Sequence, residues 1–208
     1  MTKAFLDDYA YVIQAQLKLY QATFDESWMH KAASLISFTL EHFFDPTEGF
    51  FFYTSSTSEK LISRKKEIFD NVIPSSNAIM AQNLFQAGTI LERETWIQHA
   101  LAMTGSLSNL TTSEPNYMSQ WAIASLEMRK GMKEVLITGN GVHTFRTALQ
   151  KEFFPFILMQ GSAGESKLPL FEGKVPLGGK DTIYVCFQKT CGLPVHTLNE
   201  AREQIAQS

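Results

Sequence analysis

Apolar positions in the N-terminal part of the chain recur at helical spacing. Leu6, Tyr9, Ile13, Leu17 and Tyr20 mark one stripe of a helix over residues 6–22, and Phe5, Val12 and Leu19 mark a second. A helix apolar on two sides is usually covered on two sides. Trp28, Ala32, Leu35, Ile36, Leu40 and Phe43 predict a second helix over 28–44, ended by Asp45-Pro46 because proline cannot continue the hydrogen-bond ladder. Residues 46–73 lack this period. Glu48-Gly49 signals a turn, and 50–54 is expected to pair with 61–64 as a hairpin.

Pro74-Ser75-Ser76-Asn77 is a strong helix start. It opens a third helix over 77–91, with Met80, Leu84, Ala87 and Leu91 on one face. A fourth, over 95–109, carries Trp96, Ala100, Met103 and Leu107. Ser113-Glu114-Pro115 opens a fifth over 115–130, which Gly131 stops. The pattern then changes. Residues 134–138, 156–160 and 182–187 read as strands, 143–152 and 198–206 as helices, and the Gly- and Pro-containing stretch 161–181 as a long loop. Strand–helix–strand order predicts a right-handed crossover and a small, partly parallel sheet. The expected organisation is a helical domain over 1–131 and a small α/β segment over 132–208.

The helices repeat. Glu26-Ser27-Trp28-Met29-His30-Lys31-Ala32 matches Glu94-Thr95-Trp96-Ile97-Gln98-His99-Ala100, an offset of 68 residues (94 − 26). The same offset places Gln14 on Gln82 and Leu17 on Phe85, so helices one and two recur as three and four. Periodic helix pairs imply a solenoid or a closed toroid. The expected fold class is therefore mainly α: a partial α/α toroid of helical hairpins with the α/β segment appended. In a toroid, helices one, three and five form the inner ring and share a direction. Their N-terminal ends then emerge on one face, bringing together Asp7-Asp8-Tyr9, Ser75-Ser76-Asn77 and Glu114-Pro115-Asn116-Tyr117.

Composition narrows the classes. The 208 residues are 44% hydrophobic, which supports a packed core. A net charge of −3 without a basic stripe gives a nucleic-acid partner no support. Apolar runs are too short to span a bilayer, the N-terminus has no signal-peptide core, and two cysteines do not make a secreted disulfide framework. A soluble, cytoplasmic protein is expected. Aromatic residues reach 12%, which fits either core packing or a sugar-sized groove lined by flat rings.

Several strings carry a resemblance: Leu6-Asp7-Asp8-Tyr9-Ala10, Thr23-Phe24-Asp25 with Trp28, Glu48-Gly49-Phe50-Phe51, Arg64-Lys65-Lys66-Glu67 with Asp70, Pro74-Ser75-Ser76-Asn77, and Tyr184-Val185-Cys186 with Cys191 and Pro194. In this order, over nearly the whole chain, they resemble the C-terminal part of the spermatogenesis-associated, thioredoxin-domain-containing family. The resemblance implies a thioredoxin-like domain fused to an (α/α)6 barrel similar to N-acylglucosamine 2-epimerases and six-hairpin glycosidases. It does not supply an activity. Ser76 departs from the glycine usual in the family's Pro-Ser-Gly-Asn string. Set against the family, the chain is expected to lack the thioredoxin-like domain and the first hairpins, and so to be a fragment or one part of a split protein. Self-association, or a partner subunit supplying that missing half, is expected.

Glycoside chemistry needs two carboxylates flanking the scissile bond. Asp8, with Glu67 or Asp70, is the candidate catalytic set if residues 64–77 fold over the inner-helix mouth. Asp7, Tyr9, Arg64 and Asn77 are the candidate ligand-binding residues around it. The structural alternative is that Asp7 or Asp8 caps helix one and Glu67 pairs with Arg64 or Lys65. Epimerisation needs a base, and the epimerases this barrel resembles use histidines. None of His30, His42, His99, His143 or His196 lies in a family-like string, so an epimerase site is not expected. Cys186 and Cys191 lack the thioredoxin spacing and are read as a buried thiol beside a second thiol, neither catalytic nor metal-bound. Thr138-Gly139-Asn140-Gly141 lacks the third glycine of a dinucleotide fingerprint and is read as a tight turn. No cofactor and no metal are expected. The leading expectation is a carbohydrate-processing-like segment whose cleft takes a sugar or polar metabolite. The alternative is a non-catalytic module packing against a thioredoxin-like domain or partner subunit.

Overall fold

The computed structural model describes residues 4–58 and 63–207. Among them are eight α-helices and a small amount of sheet, so the protein is mainly helical. The chain forms two compact units: one from residues up to Lys18 with Glu26–Arg129, the other from Leu19–Asp25 with Lys130 onward.

In the first unit, α1 (Leu6–Thr23, through Lys18) is followed by α2 (Glu26–His42), α3 (Ser76–Ile90) and α4 (Glu94–Ser106). The repeat is visible in the boundaries, since α2 and α4 begin at Glu26 and Glu94, the two equivalent positions. α3 is buried along almost its whole length, from Ser76 through Gly88, and its N-cap Ser75 accepts a hydrogen bond from Ala78 N. Gly88 has a packing reason. A Cβ there would lie 2.8 Å from Ile97 Cγ1, so its absence lets α3 and α4 pack closely. α3 is bonded to two further helices: Asn83 Nδ2 donates to Ala10 O of α1 at 2.8 Å, and Gln120 donates to Gln82 from α6 (Ser119–Lys130).

Three expectations need correction. The strand β2 (Phe50–Phe51) pairs with β1 (Phe44–Asp45), because the turn at 46–49, with Gly49 at φ 76°, folds the chain straight back. Of the expected second arm, Leu61 and Ile62 lie outside the described residues; Lys65 O accepts one backbone bond, from Tyr53 N at 2.7 Å. The fourth helix stops at Ser106 and a short α5 (Ser108–Ser113) follows. The fifth does not start at Pro115: Pro115–Tyr117 is a 3-10 turn, and α6 begins at Ser119.

The second unit is a four-stranded sheet of order β4-β3-β5-β6, with β3 (Lys133–Thr138), β4 (Ile157–Ser162), β5 (Thr182–Phe187) and β6 (Thr190–Cys191). β3 and β4 are parallel, joined through α7 (Val142–Leu149), and β5 runs antiparallel to β3. α8 (Leu198–Ala206) opens with a capping box between Thr197 and Glu200. The core joins Val135, Ile137, Ile183 and Val185 with Leu149, Ala201 and Ile205, and includes Phe24. A Cβ on Gly161 would lie 2.4 Å from the Phe24 ring, so that position of β4 has no room for a side chain.

Candidate functional site

The N-terminal ends of α1, α3 and α6 are held by one stretch of chain. At α1, Leu6 N donates to Tyr53 O at 3.0 Å, and Tyr53 N in turn donates to Lys65 O. At α3, Ser75 Oγ donates to Glu67 O at 2.9 Å. At α6, Trp121 Nε1 donates to Ile68 O at 2.7 Å. Asp70 bridges two of these ends. Its Oδ1 accepts from Ser75 N at 2.9 Å, and its Oδ2 from Gln120 N at 2.8 Å and Ser119 Oγ at 3.1 Å. Free amides at helix N-termini attract a carboxylate, and Asp70 satisfies two helices at once. Tyr11, one turn into α1, donates to Pro74 O at 2.9 Å. Residues 64–75 therefore run across the starts of α3 and α6.

The candidate residues meet different fates there. Asp8 is exposed and accepts from Phe5 N at 2.8 Å, capping its own helix. Tyr9 stacks on Phe38 at 5.3 Å between ring centroids and tilts against Phe43 at 5.2 Å. Arg64 donates to Thr54 O and His42 O and lies over the Phe52 ring, 4.0 Å from its centroid. Burial pushes its guanidinium below the ordinary arginine range, against the Asp45 charge. Asn77 is fully buried, with its amide bonded to both backbone groups of Phe51 and to Glu67 O. Asp7, Glu67 and Asp70 act electrostatically on two tyrosines that sequence reasoning missed. Burial, then the charge of Asp7, then that of Glu67, pushes the Tyr53 phenol above its ordinary range, and Asp7 also acts through hydrogen bonding. Burial, then Asp7, then Asp70, does the same to Tyr11. The signal for Tyr11 was its position four residues after Asp7, one helical turn on the same face. Tyr53 carried no comparable mark.

The basic partners of this segment are also engaged. Lys66 bridges Asp45 at 2.5 Å and Glu48 at 2.7 Å and sits over the Phe52 ring. The Lys66 hydrogen bond holds the Asp45 carboxyl below its usual range. Exposed large hydrophobics gather beside the polar groups. Of nine in the first unit among the described residues, all but Leu101 lie on α1 or just before it, on 69–73 or on 117–126. Phe69 and Tyr117, each more than half exposed, form an edge-on pair at 6.4 Å.

In the second unit, Cys186 and Cys191 are joined as a disulfide, which corrects the reading of two separate thiols. They sit directly opposite each other on β5 and β6, and their spacing did not reveal that register. The turn after β3 is held by Asp181, whose Oδ1 accepts from Gly141 N at 2.9 Å. Its carboxylate lies at the start of α7, where a phosphate would need to approach, so the turn has a structural occupant. Among the described residues, no group of three or more His, Cys, Asp or Glu side chains is placed to hold a metal ion. No helix among them is long and apolar enough to cross a membrane.

No family profile matches the chain. Among curated proteins it is similar to spermatogenesis-associated protein 20 of mouse, 23% identical over 214 residues and 98% of this chain. The human protein of that name is 24% identical over 210 residues, 96% of this chain. An uncharacterized protein of Caenorhabditis elegans is 24% identical over 213 residues. The chain spans only 27% of the mouse and human relatives and 28% of the nematode protein, so about a quarter of each relative's length has a counterpart here.

Proposed function

We propose that this chain is a non-catalytic helical packing module, one part of an α/α toroid whose α1 and α6 faces are closed by further helices. The observation that carries this reading is the placement of exposed apolar residues. Val12 on α1 and Ile123 and Leu126 on α6 are 47%, 49% and 48% exposed, on the two helices that bond to buried α3. Large apolar groups concentrated on a few elements mark an interaction face. The polar candidates speak the same way, since Asp8, Arg64, Asp70 and Asn77 are bonded within the fold. The proposed occupant is a helical segment with its own apolar stripe, from the three quarters of the relatives' length that has no counterpart here. In the absence of that segment the same apolar faces are expected to pair two copies of the chain, which sedimentation velocity tests: association should be lost in Val12→Asp and in Ile123→Asp, and equal behaviour of variants and parent refutes it.

A second reading, binding of a sugar or similar polyhydroxylated ligand, is favoured by one grouping. The charges of Asp7 and Glu67 act on Tyr53, and the exposed Phe69–Tyr117 pair offers flat apolar faces. Hydroxyls that donate and accept need such mixed partners. A glycan and metabolite binding screen on the parent, Glu67→Gln and Tyr53→Phe decides it. Binding lost in both variants supports the site, and no binding by the parent removes it.

A further inference from the structure

We propose that the Cys186–Cys191 disulfide is a reversible thiol–disulfide exchange site that controls the order of the 187–193 hairpin. The two cysteines are a directly opposed pair on antiparallel β5 and β6, only five positions apart. Cys186 is fully buried, whereas Cys191 is partly exposed, so an attacking thiolate reaches the Cys191 sulfur and Cys186 is the leaving group.

Besides the disulfide, the hairpin is closed by the Phe187–Thr190 pairing, by Gly192 N on Val185 O at 2.9 Å and by Gln204 Nε2 on Leu193 O at 2.9 Å, the last two at its outer end. Its two central turn residues, Gln188 and Lys189, both hold positive φ, at 48° and 66°. Turns of this kind normally take Asn-Gly or Asp-Gly, because a side chain disfavours the left-handed region. β6 is two residues long and forms the sheet edge. Beyond it the chain is anchored again: Gly192 N donates to Val185 O, Val195 pairs with Ile183, and Val195 sits in the core ahead of the α8 capping box. A short loop also limits the entropy that the crosslink removes from the unfolded chain, so this disulfide is weakly reinforced by folding. Opening it should therefore loosen 187–193 and leave the sheet and α8 in place.

The exchange balances with a dithiol as reductant. One reductant thiolate attacks Cys191 Sγ, the Cys186–Cys191 bond breaks, and Cys186 leaves as a thiolate that takes a proton. The second reductant thiolate then attacks the mixed disulfide. This releases the Cys191 thiol and leaves the reductant as a disulfide, with two electrons passed to the protein.

The test equilibrates the full chain, without denaturant, in graded mixtures of reduced and oxidised dithiothreitol. Free thiols are trapped by alkylation and counted by intact mass, and hydrogen exchange is followed in parallel. The expected result is one reversible transition from no free thiols to two, with exchange across 187–193 at least about tenfold faster in the reduced form. β3 keeps its protection in both. The Cys186→Ser/Cys191→Ser variant should exchange like the reduced parent. If that variant fails to fold, the parent titration still decides. Two free thiols in the air-oxidised protein, a disulfide opened only after denaturation, or identical exchange in both states would each overturn the proposal.

Discussion

Asn77 clamps the backbone of Phe51 on both sides: its Oδ1 accepts from Phe51 N at 2.8 Å and its Nδ2 donates to Phe51 O at 3.0 Å. The first turn of α3 thereby takes the place of a strand partner for β2. Both residues are fully buried, so water cannot replace the lost bonds. Asn77→Ala should lower stability by about 3 kcal/mol, since it strands two buried backbone groups. Urea unfolding measures this, and a loss under about 0.5 kcal/mol, the range of neutral surface changes, would show that the clamp is dispensable.

Asp70 distinguishes a structural carboxylate from a catalytic one. It accepts three bonds at the starts of α3 and α6, so Asp70→Ala should cost about 2 kcal/mol, within the range for charge-assisted bonds and helix caps. A carboxylate held for chemistry would instead leave the melting temperature unchanged or raised when neutralised. Thermal melts of Asp70→Ala and Asp70→Asn, compared with the parent, separate the two roles.

The Asp45–Lys66 pair gives a pH signature. The Lys66 hydrogen bond is the main cause that lowers Asp45 from its ordinary 3.8, so the stability tied to its charge is full above that value. It is lost as pH falls through the lower, folded-state value. Lys66 is affected first by burial, which opposes its charge, but its bonds to Asp45 and Glu48 win and raise it above 10.5. Its contribution is full below 10.5 and fades as pH rises through the raised value. The melting difference between the parent and Asp45→Asn should therefore be flat from about pH 5 to 10 and close on acidification. A difference that persists at about pH 2 would mean that packing, not charge, sets it.

Much of the helical framework was legible in the chain because it rests on periodicity. The stripe through Leu6, Ile13 and Leu17 gave α1, and the Trp28–Trp96 offset gave the equivalent starts of α2 and α4. β5 and α8 were legible at both ends, and the structure adds the Thr197–Glu200 capping box at the start of α8. What failed depends on contacts distant in sequence. Phe50–Phe51 had no local mark of pairing with Phe44–Asp45 rather than a later segment. Pro115 suits a 3-10 turn as well as a helix start, and Asp70 at Ser119 and Gln120 fixes where α6 begins. The path of the candidate segment was legible, while the bonds its side chains make were not. Residues 64–75 do cross the starts of α3 and α6, yet Asp70 and Asn77 are spent on orphaned backbone groups. Sequence shows which polar groups are present, while the unsatisfied amides that claim them appear only with the fold.

The packing-module account is tested most directly by light scattering of the parent chain across a concentration series reaching ~50 µM, a range suited to interfaces of moderate affinity. The expected result is a molar mass above that of the monomer, rising with concentration, that returns to the 23.5 kDa monomer in the Val12→Asp/Ile123→Asp double variant. A parent chain that stays monomeric over the whole series would contradict the claim that the exposed α1 and α6 faces pair with apolar helical surface when the segment proposed to cover them is absent.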